Sequence, residues 1–192
     1  MKGILAGLVM LIIGDSHIAG YGRFNNTLHE ELVGQGASVH TFGICGSIPS
    51  DWLLPHSIVC GRGERHNGDP AQISMDTKLH GWALPALISH YHPNVVVVEL
   101  GENMAGYGVA SDLPRDLIGG EVMGLARLIQ SSGLPCIWIG PTWARKTGPI
   151  TKPSPGSGIC RPICRRWSNP AGTSTRWLFP GPANGRRLTA CI

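Results

Sequence analysis

Apolar residues in the first 143 positions form two alternating patterns: short continuous runs, and longer stretches at helical spacing. The runs predict buried strands of a parallel sheet: Leu8–Ile13, Ser38–Phe42, Val95–Leu100 and Pro135–Gly140. The stretches predict helices: Thr27–Val33, capped by Asn26 or Thr27, then Leu79–Tyr91 and Leu113–Ser131. This alternation predicts an α/β domain with a parallel sheet and helices on both of its faces.

Two segments depart from the alternation. Residues from Gly46 to about Thr77 form a long polar stretch, and a loop of that length usually carries function or is partly disordered. From Ala144 onward Pro, Gly, Arg and Ser dominate without any period, so no helix or strand is predicted there. We therefore divide the chain into a domain at residues 1–143 and a tail at residues 144–192.

Charge divides the chain at the same place. Residues 1–143 hold seven Lys and Arg against twelve Asp and Glu, whereas residues 144–192 hold nine Lys and Arg and no acidic residue. A basic tail is typical of proteins that bind nucleic acid or charged surfaces, which is the alternative, non-enzymatic interpretation of this chain. No run of 18 apolar residues occurs, so no membrane-spanning helix is expected.

Candidate chemistry follows three of the predicted strands at their carboxyl ends, where open α/β sheets bind ligands. Gly14-Asp15-Ser16-His17 comes first, and a backbone N–H there suits a developing oxyanion. Gly43-Ile44-Cys45-Gly46 follows the second strand, and glycine lets a backbone N–H approach a substrate oxygen. Gly101-Glu102-Asn103 follows the Val95–Leu100 strand and offers a side-chain amide. Each is also an ordinary turn, but in this order they converge on one edge of the sheet.

These blocks resemble those of the SGNH hydrolases, also called GDSL esterases and lipases. The resemblance implies a three-layer α/β/α, flavodoxin-like fold and ester hydrolysis through an acyl-enzyme. It assigns the nucleophile to Ser16 and the oxyanion donors to the N–H groups of Ser16 and Gly46 and the amide of Asn103. It implies that the substrate is a small-molecule or carbohydrate ester with a small acyl group such as acetyl. It implies no cofactor and no metal, and no nucleic-acid partner is expected.

The sequence departs from the family pattern in two blocks. In the third, Glu102 stands in the middle and Met104 replaces the usual Asp, which we expect to alter loop packing more than the oxyanion hole. The fourth block, Asp-x-x-His, supplies the general base and the carboxylate that orients it. No Asp or His follows residue 116, so the chain as given lacks this pair and is expected to be catalytically incomplete.

A change of reading frame would account for the tail. If residues 144–192 are back-translated and read two nucleotides further on, one permitted choice has no stop, a helical segment, a short strand and a final Asp-Gly-Leu-His. Out-of-frame reading of GC-rich codons also yields Arg, Pro, Gly and Ala. We therefore interpret the tail as an out-of-frame translation; the competing hypothesis is a disordered Arg- and Pro-rich tail.

Cysteines leave one question open. Cys45 and Cys60 either close a short disulfide loop in an exported protein or remain two reduced, buried thiols. Cys160 and Cys164 have no partner pair at zinc spacing, so no metal site is predicted there. An exported location is favoured over a cytoplasmic one.

Several further side chains have two possible roles. Asp51 and Trp52 either line the substrate cleft or, for the indole, cover the core, and Trp143 borders the pocket or packs into the core. His17 either touches the substrate or, as we expect, is a surface residue of its turn, and His90 and His92 are not expected to bind a metal.

Overall fold

The computed structural model describes residues 3–20, 23–105 and 115–140. Its strands are Val9–Gly14 (β1), Ser38–Ile44 (β2), Arg62–His66 (β3), Gln72–Ser74 (β4), Val95–Glu99 (β5) and Cys136–Ile139 (β6). Its α-helices are Arg23–Gly34 (α1), Leu84–Tyr91 (α2) and Arg115–Ser131 (α3). Two short 3-10 helices cover Pro49–Trp52 and Glu102–Ala105.

The strands form one mixed sheet in the order β4-β3-β2-β1-β5-β6. β1 lies in parallel between β2 and β5, with Gly14 opposite Gly43 on one side and Glu99 on the other. β6 extends this parallel part beyond β5. The predicted parallel sheet is therefore confirmed for four strands. The long loop predicted from Gly46 to about Thr77 is wrong in part, because β3 and β4 lie within it and form an antiparallel hairpin that makes the sheet mixed.

The β3–β4 hairpin has no alternation of apolar and polar residues, which is why its pattern predicted a loop. Polar contacts hold it against α1 instead: Arg65 donates to Asn26 and to Glu30, at 3.2 and 3.1 Å. On the opposite face Arg62 lies over the ring of Trp82, 4.4 Å from its centroid. The pairing of β3 with β2 is therefore supported by polar side chains, which a search for hydrophobic patterns does not detect.

Helices cover both faces of the sheet, which confirms the three-layer α/β/α architecture. Successive residues of β1 point to opposite faces, so Met10 and Ile12 pack in the layer that contains Leu28 and Leu32 of α1. The other face carries a second core, formed with α2 and α3: Leu11, Ile13, Phe42, Val96, Val98, Leu84, Leu87, Leu125 and Ile129. All four residues of β6 are only half-buried, although a parallel strand is usually covered on both faces.

Helix boundaries differ from the predicted ones for local reasons. α2 begins at Leu84 rather than Leu79, because Pro85 occupies its first turn, where the missing N–H has no helical partner to lose. α1 begins at Arg23, before the expected cap. The predicted start of α3 at Leu113, the interpretation of Trp143 and every prediction about residues 144–192 lie outside the described residues. Among the described helices, none is long and apolar enough to cross a membrane.

Candidate active site

Ser16 lies in a tight turn at the carboxyl end of β1, the central strand of the parallel part of the sheet. Asp15 organises this turn: its carboxylate Oδ1 accepts the N–H of His17 at 3.0 Å. The Asp15 carbonyl accepts the N–H groups of Ile18 and Ala19 at 3.1 and 2.9 Å. The turn can lie against β2 because Gly43 has no side chain; a Cβ there would overlap the backbone of Ala19. Ser16 itself is partly exposed.

Gly46 lies in the next loop, two residues beyond the end of β2. Its φ of +80° is in the left-handed region, and a Cβ would stand 2.8 Å from Cγ2 of Val59. A disulfide between Cys45 and Cys60, with the Cα atoms 5.5 Å apart, fixes the base of this loop. Of the two possibilities that the sequence left open, the structure has the disulfide.

Asn103, in the 3-10 helix after β5, joins the two preceding loops. Its side-chain Nδ2 donates to the carbonyl oxygen of Ser47 at 3.0 Å and lies 3.5 Å from Oδ2 of Asp15. The structure therefore connects Asn103 to the two loops that carry Ser16 and Gly46, through the neighbouring residues Asp15 and Ser47. Within the described ranges, neither the Ser16 N–H nor the Gly46 N–H has a hydrogen-bond acceptor, so both are available to a ligand oxygen.

Trp52 supports the Gly46 loop from within. It is fully buried, and its indole N–H donates to the Ser47 hydroxyl at 3.3 Å. Asp51 accepts the N–H of Ile48 at 2.9 Å and so closes the turn in front of the 3-10 helix. Of the two roles that the sequence left open for Trp52, the structure has the core role. Asp51 closes the turn of the loop.

His17 follows the candidate nucleophile and contacts two carboxylates. Its Nδ1 is 3.0 Å from Oδ1 of Asp15, and its Nε2 is 3.1 Å from Oε2 of Glu102. An imidazole can donate towards both only when both ring nitrogens are protonated. In this arrangement His17 is poorly placed to accept a proton from Ser16. It is half-exposed, and it pairs with acidic residues rather than only facing solvent, as the sequence led us to expect.

Glu99 and Asp15 form a carboxyl pair below the turn, and the sequence analysis missed it. Asp15 is fully buried, Glu99 is 2% exposed, and the Asp15 N–H donates to the Glu99 carbonyl at 3.2 Å. Burial raises the pKa of Glu99 to about 8, and the Asp15 charge and a hydrogen bond with Asp15 add to the increase, while His17 opposes it. The only signal in the sequence was an acidic residue within an apolar strand.

One group of described residues has the donor set for a metal ion. Oxygen or nitrogen atoms of Asp15, His17 and Glu99 lie within 4.8 Å of one another. Such hard and borderline ligands suit a divalent cation, so this is where a metal would bind if the chain took one. His90 and His92 are not part of any such group among the residues described.

Comparison with known proteins supports the fold and gives one relative by sequence. No family model matches the chain. It is 38% identical over 146 residues to protein BcsX of Komagataeibacter xylinus, a match that covers 76% of this chain and 55% of that protein. The chain thus spans about half the length of this relative.

A solved structure shares the fold. It is a carbohydrate esterase family 2 enzyme with a carbohydrate binding domain, from Corynascus thermopiles (Myceliophthora fergusii). The two superpose with a TM-score of 0.50 at 15% identity, over 86% of this chain and 55% of that one. At this identity the likeness establishes an α/β fold similar to that of a carbohydrate esterase.

Proposed function

We propose that the domain is built as an SGNH-type serine hydrolase for a small acyl ester, such as an O-acetyl group on a carbohydrate. The observation that carries the proposal is the position of Asn103, whose amide spans from the Ser16 turn to the Gly46 loop. The Ser16 hydroxyl and the N–H groups of Ser16 and Gly46, which have no acceptor among the described residues, lie in the two loops that this amide connects. The fold shared with a carbohydrate esterase supports the proposal and suggests the sugar ester.

In the proposed reaction the Ser16 hydroxyl attacks the ester carbonyl, and its proton passes to a general base as the new bond forms. The N–H groups of Ser16 and Gly46 and the Asn103 amide then stabilise the oxyanion, each contributing about 3 kcal/mol to the transition state. The alcohol leaves with a proton, and water releases the acid from Ser16. His17, the histidine next to Ser16 in the chain, directs its ring nitrogens to Asp15 and Glu102, so we do not assign the role of base to it.

We further propose that the base belongs to the alternate reading frame of the tail. The change in composition at Ala144 supports this, as does β6, an apolar strand that the described residues leave half-covered. The frame-restored chain is defined here as residues 1–143 followed by the alternate translation, which ends in Asp-Gly-Leu-His. Nucleotide sequencing of codons 140–150 tests it directly, because an unbroken frame through these codons in independent isolates would contradict the proposal.

The test of the function is steady-state and burst kinetics on p-nitrophenyl acetate. We expect the frame-restored chain to turn the ester over and Ser16→Ala in the same chain to lose this activity while keeping its circular dichroism spectrum. We expect the chain as given to be nearly inactive, because a serine hydroxyl without a base stays protonated. Equal turnover by Ser16→Ala would show that Ser16 is not the nucleophile.

We also propose that the protein is exported, and the Cys45–Cys60 disulfide supports this location. Disulfides persist in oxidising compartments and are rare in the cytosol. Fractionation of cells that express the chain from its own locus tests this, and a fully reduced, cytosolic pool would contradict it.

A further inference from the structure

A cleft of about 200 Å³ lies between the β3–β4 hairpin and the segment that precedes α2. Its lining combines polar side chains of the hairpin with apolar side chains of that segment: Arg62, Glu64, Gln72 and Ser74, then Leu79 and Trp82. None of these residues takes part in the proposed hydrolysis. The volume is below the roughly 300–1,000 Å³ of pockets for drug-sized molecules, so the cleft suits one ring, or one unit of a longer ligand.

The register of the hairpin places the polar side chains on one face. Arg62 pairs with Ser74, and Glu64 pairs with Gln72. Side chains that are directly opposite in an antiparallel pair, or two apart in one strand, point to the same face. Arg62 lies over the Trp82 ring, 4.4 Å from its centroid, so this is the face on which the indole lies.

Arg62 is held in place and still keeps hydrogen-bonding capacity. Its guanidinium has five N–H donors, of which one donates to the carbonyl oxygen of His80. The contact with the Trp82 ring fixes the plane of the guanidinium further. Gln72 adds an amide that can both donate and accept, and Trp82 adds an apolar ring with one N–H. The cleft therefore offers several polar groups in a fixed arrangement beside an apolar surface.

The two charged groups of the cleft have opposite signs. Arg62 is a cation and Glu64 an anion, two residues apart on the same face of β3. An anionic ligand would be repelled by Glu64, and a cationic one by Arg62. A neutral ligand with many hydroxyls matches this lining, because each hydroxyl both donates and accepts. The Trp82 ring suits the apolar C–H groups of a sugar ring, so a neutral sugar fits the cleft better than an ion does.

The cleft lies beside the loop that carries Gly46. The Cys45 N–H donates to the carbonyl oxygen of Gly61 at 2.9 Å, so Gly46 and Arg62 each follow directly after a partner in this bond. Neighbouring strands are about 4.8 Å apart, which places β3 roughly 10 Å from β1 across the sheet. An oligosaccharide of a few sugar units is long enough to extend from the cleft to the end of β1, where Ser16 lies.

We propose that this cleft is the glycan subsite of the hydrolase: it binds a neutral sugar unit of the oligosaccharide or polysaccharide whose ester lies at Ser16. The inference rests on the proposed function and adds to it the residues that recognise the sugar. Arg62 and Glu64 form hydrogen bonds with the sugar hydroxyls, and Gln72 does so from the edge strand β4. The Trp82 ring lies against the apolar carbons of the sugar.

NMR on the full chain tests the binding of sugar without any need for activity. The indole ¹H–¹⁵N signal of Trp82 is assigned by its loss in Trp82→Phe and is followed during titration with three neutral probes, xylohexaose, cellohexaose and mannohexaose. We expect a saturable shift of this signal with at least one of them, and weaker binding of trigalacturonic acid, which is anionic. No shift with any neutral probe, or tighter binding of the acidic one, would overturn the proposal.

Two variants of the cleft separate recognition of the sugar from folding. Gln72→Ala and Glu64→Ala should each weaken the binding of the best neutral probe about tenfold, the effect of one lost hydrogen bond. Both should keep the thermal unfolding of the parent, since Gln72 is exposed and Glu64 only half-buried. Gln130→Ala, at an exposed position of α3, is the matched control and should bind as the parent does. Parental affinity in both cleft variants would overturn the proposal.

Kinetics of the frame-restored chain distinguish the subsite from the hydrolase. On the acetylated form of the best neutral probe, Gln72→Ala and Glu64→Ala should raise KM about tenfold with little change in kcat, because they remove binding that substrate and transition state share. On p-nitrophenyl acetate, which has no sugar, both should match the parent. Equal effects on the two substrates would overturn the subsite.

The two proposals can fail separately. If the frame-restored chain has no Ser16-dependent turnover but the full chain still binds the neutral probe through Gln72 and Glu64, the hydrolase is contradicted and the cleft stands as a glycan-binding site. If Ser16-dependent turnover is present and no neutral probe binds, the hydrolase stands and the glycan subsite is overturned.

Discussion

The side-chain amide of Asn103 donates to the carbonyl oxygen of Ser47 at 3.0 Å, across 56 residues of sequence. The same nitrogen lies 3.5 Å from Asp15, so one amide connects the loops after β1, β2 and β5. An asparagine amide that lies between these loops can also direct an N–H towards an oxyanion that forms beside Ser16. The candidate active site is therefore assembled around Asn103.

Replacement of Asn103 by alanine should lower kcat of the frame-restored chain by roughly 10²–10³ with little change in KM. The reason is that the amide acts mainly on charge that develops in the transition state. Loss of the bond to Ser47 should also cost about 1 kcal/mol of stability, which chemical denaturation will measure separately. A rise in KM alone would mean that Asn103 binds substrate and does not stabilise the oxyanion.

Gly46→Ala should reduce kcat by roughly 10²-fold, because a donor N–H would be displaced. The φ of +80° costs an L-residue about 1–2 kcal/mol, and the new Cβ would meet Val59 at 2.8 Å. Gly68→Ala is the matched control, since a Cβ there meets nothing within 4 Å. Equal activity in the two variants would remove Gly46 from the site.

Loss of the Cys45–Cys60 disulfide should destabilise the domain by about 3 kcal/mol, the magnitude for a loop of some 15 residues. Urea unfolding of Cys45→Ser/Cys60→Ser beside the parent chain will measure the change. The parent should lose the same stability in dithiothreitol, while the double variant should not respond to it. A response of the double variant would place the redox sensitivity elsewhere in the chain.

Acid should weaken the sheet edge at the histidine pair of β2 and β3. Nδ1 of His40 is 3.0 Å from Nδ1 of His66, an arrangement in which one nitrogen must be an unprotonated acceptor. Burial lowers the pKa of His40, and the neighbouring His66 lowers it further. Because the folded-state pKa is below the unfolded one, the contribution to stability is complete above about pH 6.5 and is lost as pH falls through the folded-state value.

Thermal unfolding between pH 4.5 and 7.5 checks this acid sensitivity. His66→Gln should reduce the dependence on pH, while His80→Gln, at an exposed position, should leave it unchanged. Part of the dependence should persist in His66→Gln, since burial also lowers the pKa of His29, which contacts Thr41 and the Asn67 carbonyl. An unaltered pH dependence in His66→Gln would contradict the role of the pair.

The central strands could be predicted from the sequence because a strand that is buried on both faces is a continuous run of apolar residues. β5 is a run of four valines, and β1 is apolar throughout, so a continuous hydrophobic pattern suffices to locate them. The β3–β4 hairpin could not be predicted in this way. Arg62–His66 is polar at four of five positions, and its stability comes from contacts with α1 and Trp82 that are distant in sequence.

The candidate site also contains some features that a local sequence pattern predicts and others that it does not. The short blocks around Ser16, Gly46 and Asn103 are local, so the order of strands was enough to place them at one edge of the sheet. The Asp15–Glu99 pair, the bond from Asn103 to Ser47 and the contact of His17 with Glu102 depend on three-dimensional proximity across many residues. No local spacing encodes such contacts, so only the structure could reveal them.

Covalent labelling of Ser16 tests the central claim most directly. The frame-restored chain is incubated with a fluorophosphonate probe, digested and mapped by mass spectrometry, beside its Ser16→Ala variant. We predict one stoichiometric adduct, on the peptide that contains Ser16, and none in the variant. An adduct on another serine, or labelling of Ser16→Ala to the same extent, would contradict the assignment of this site as a serine hydrolase.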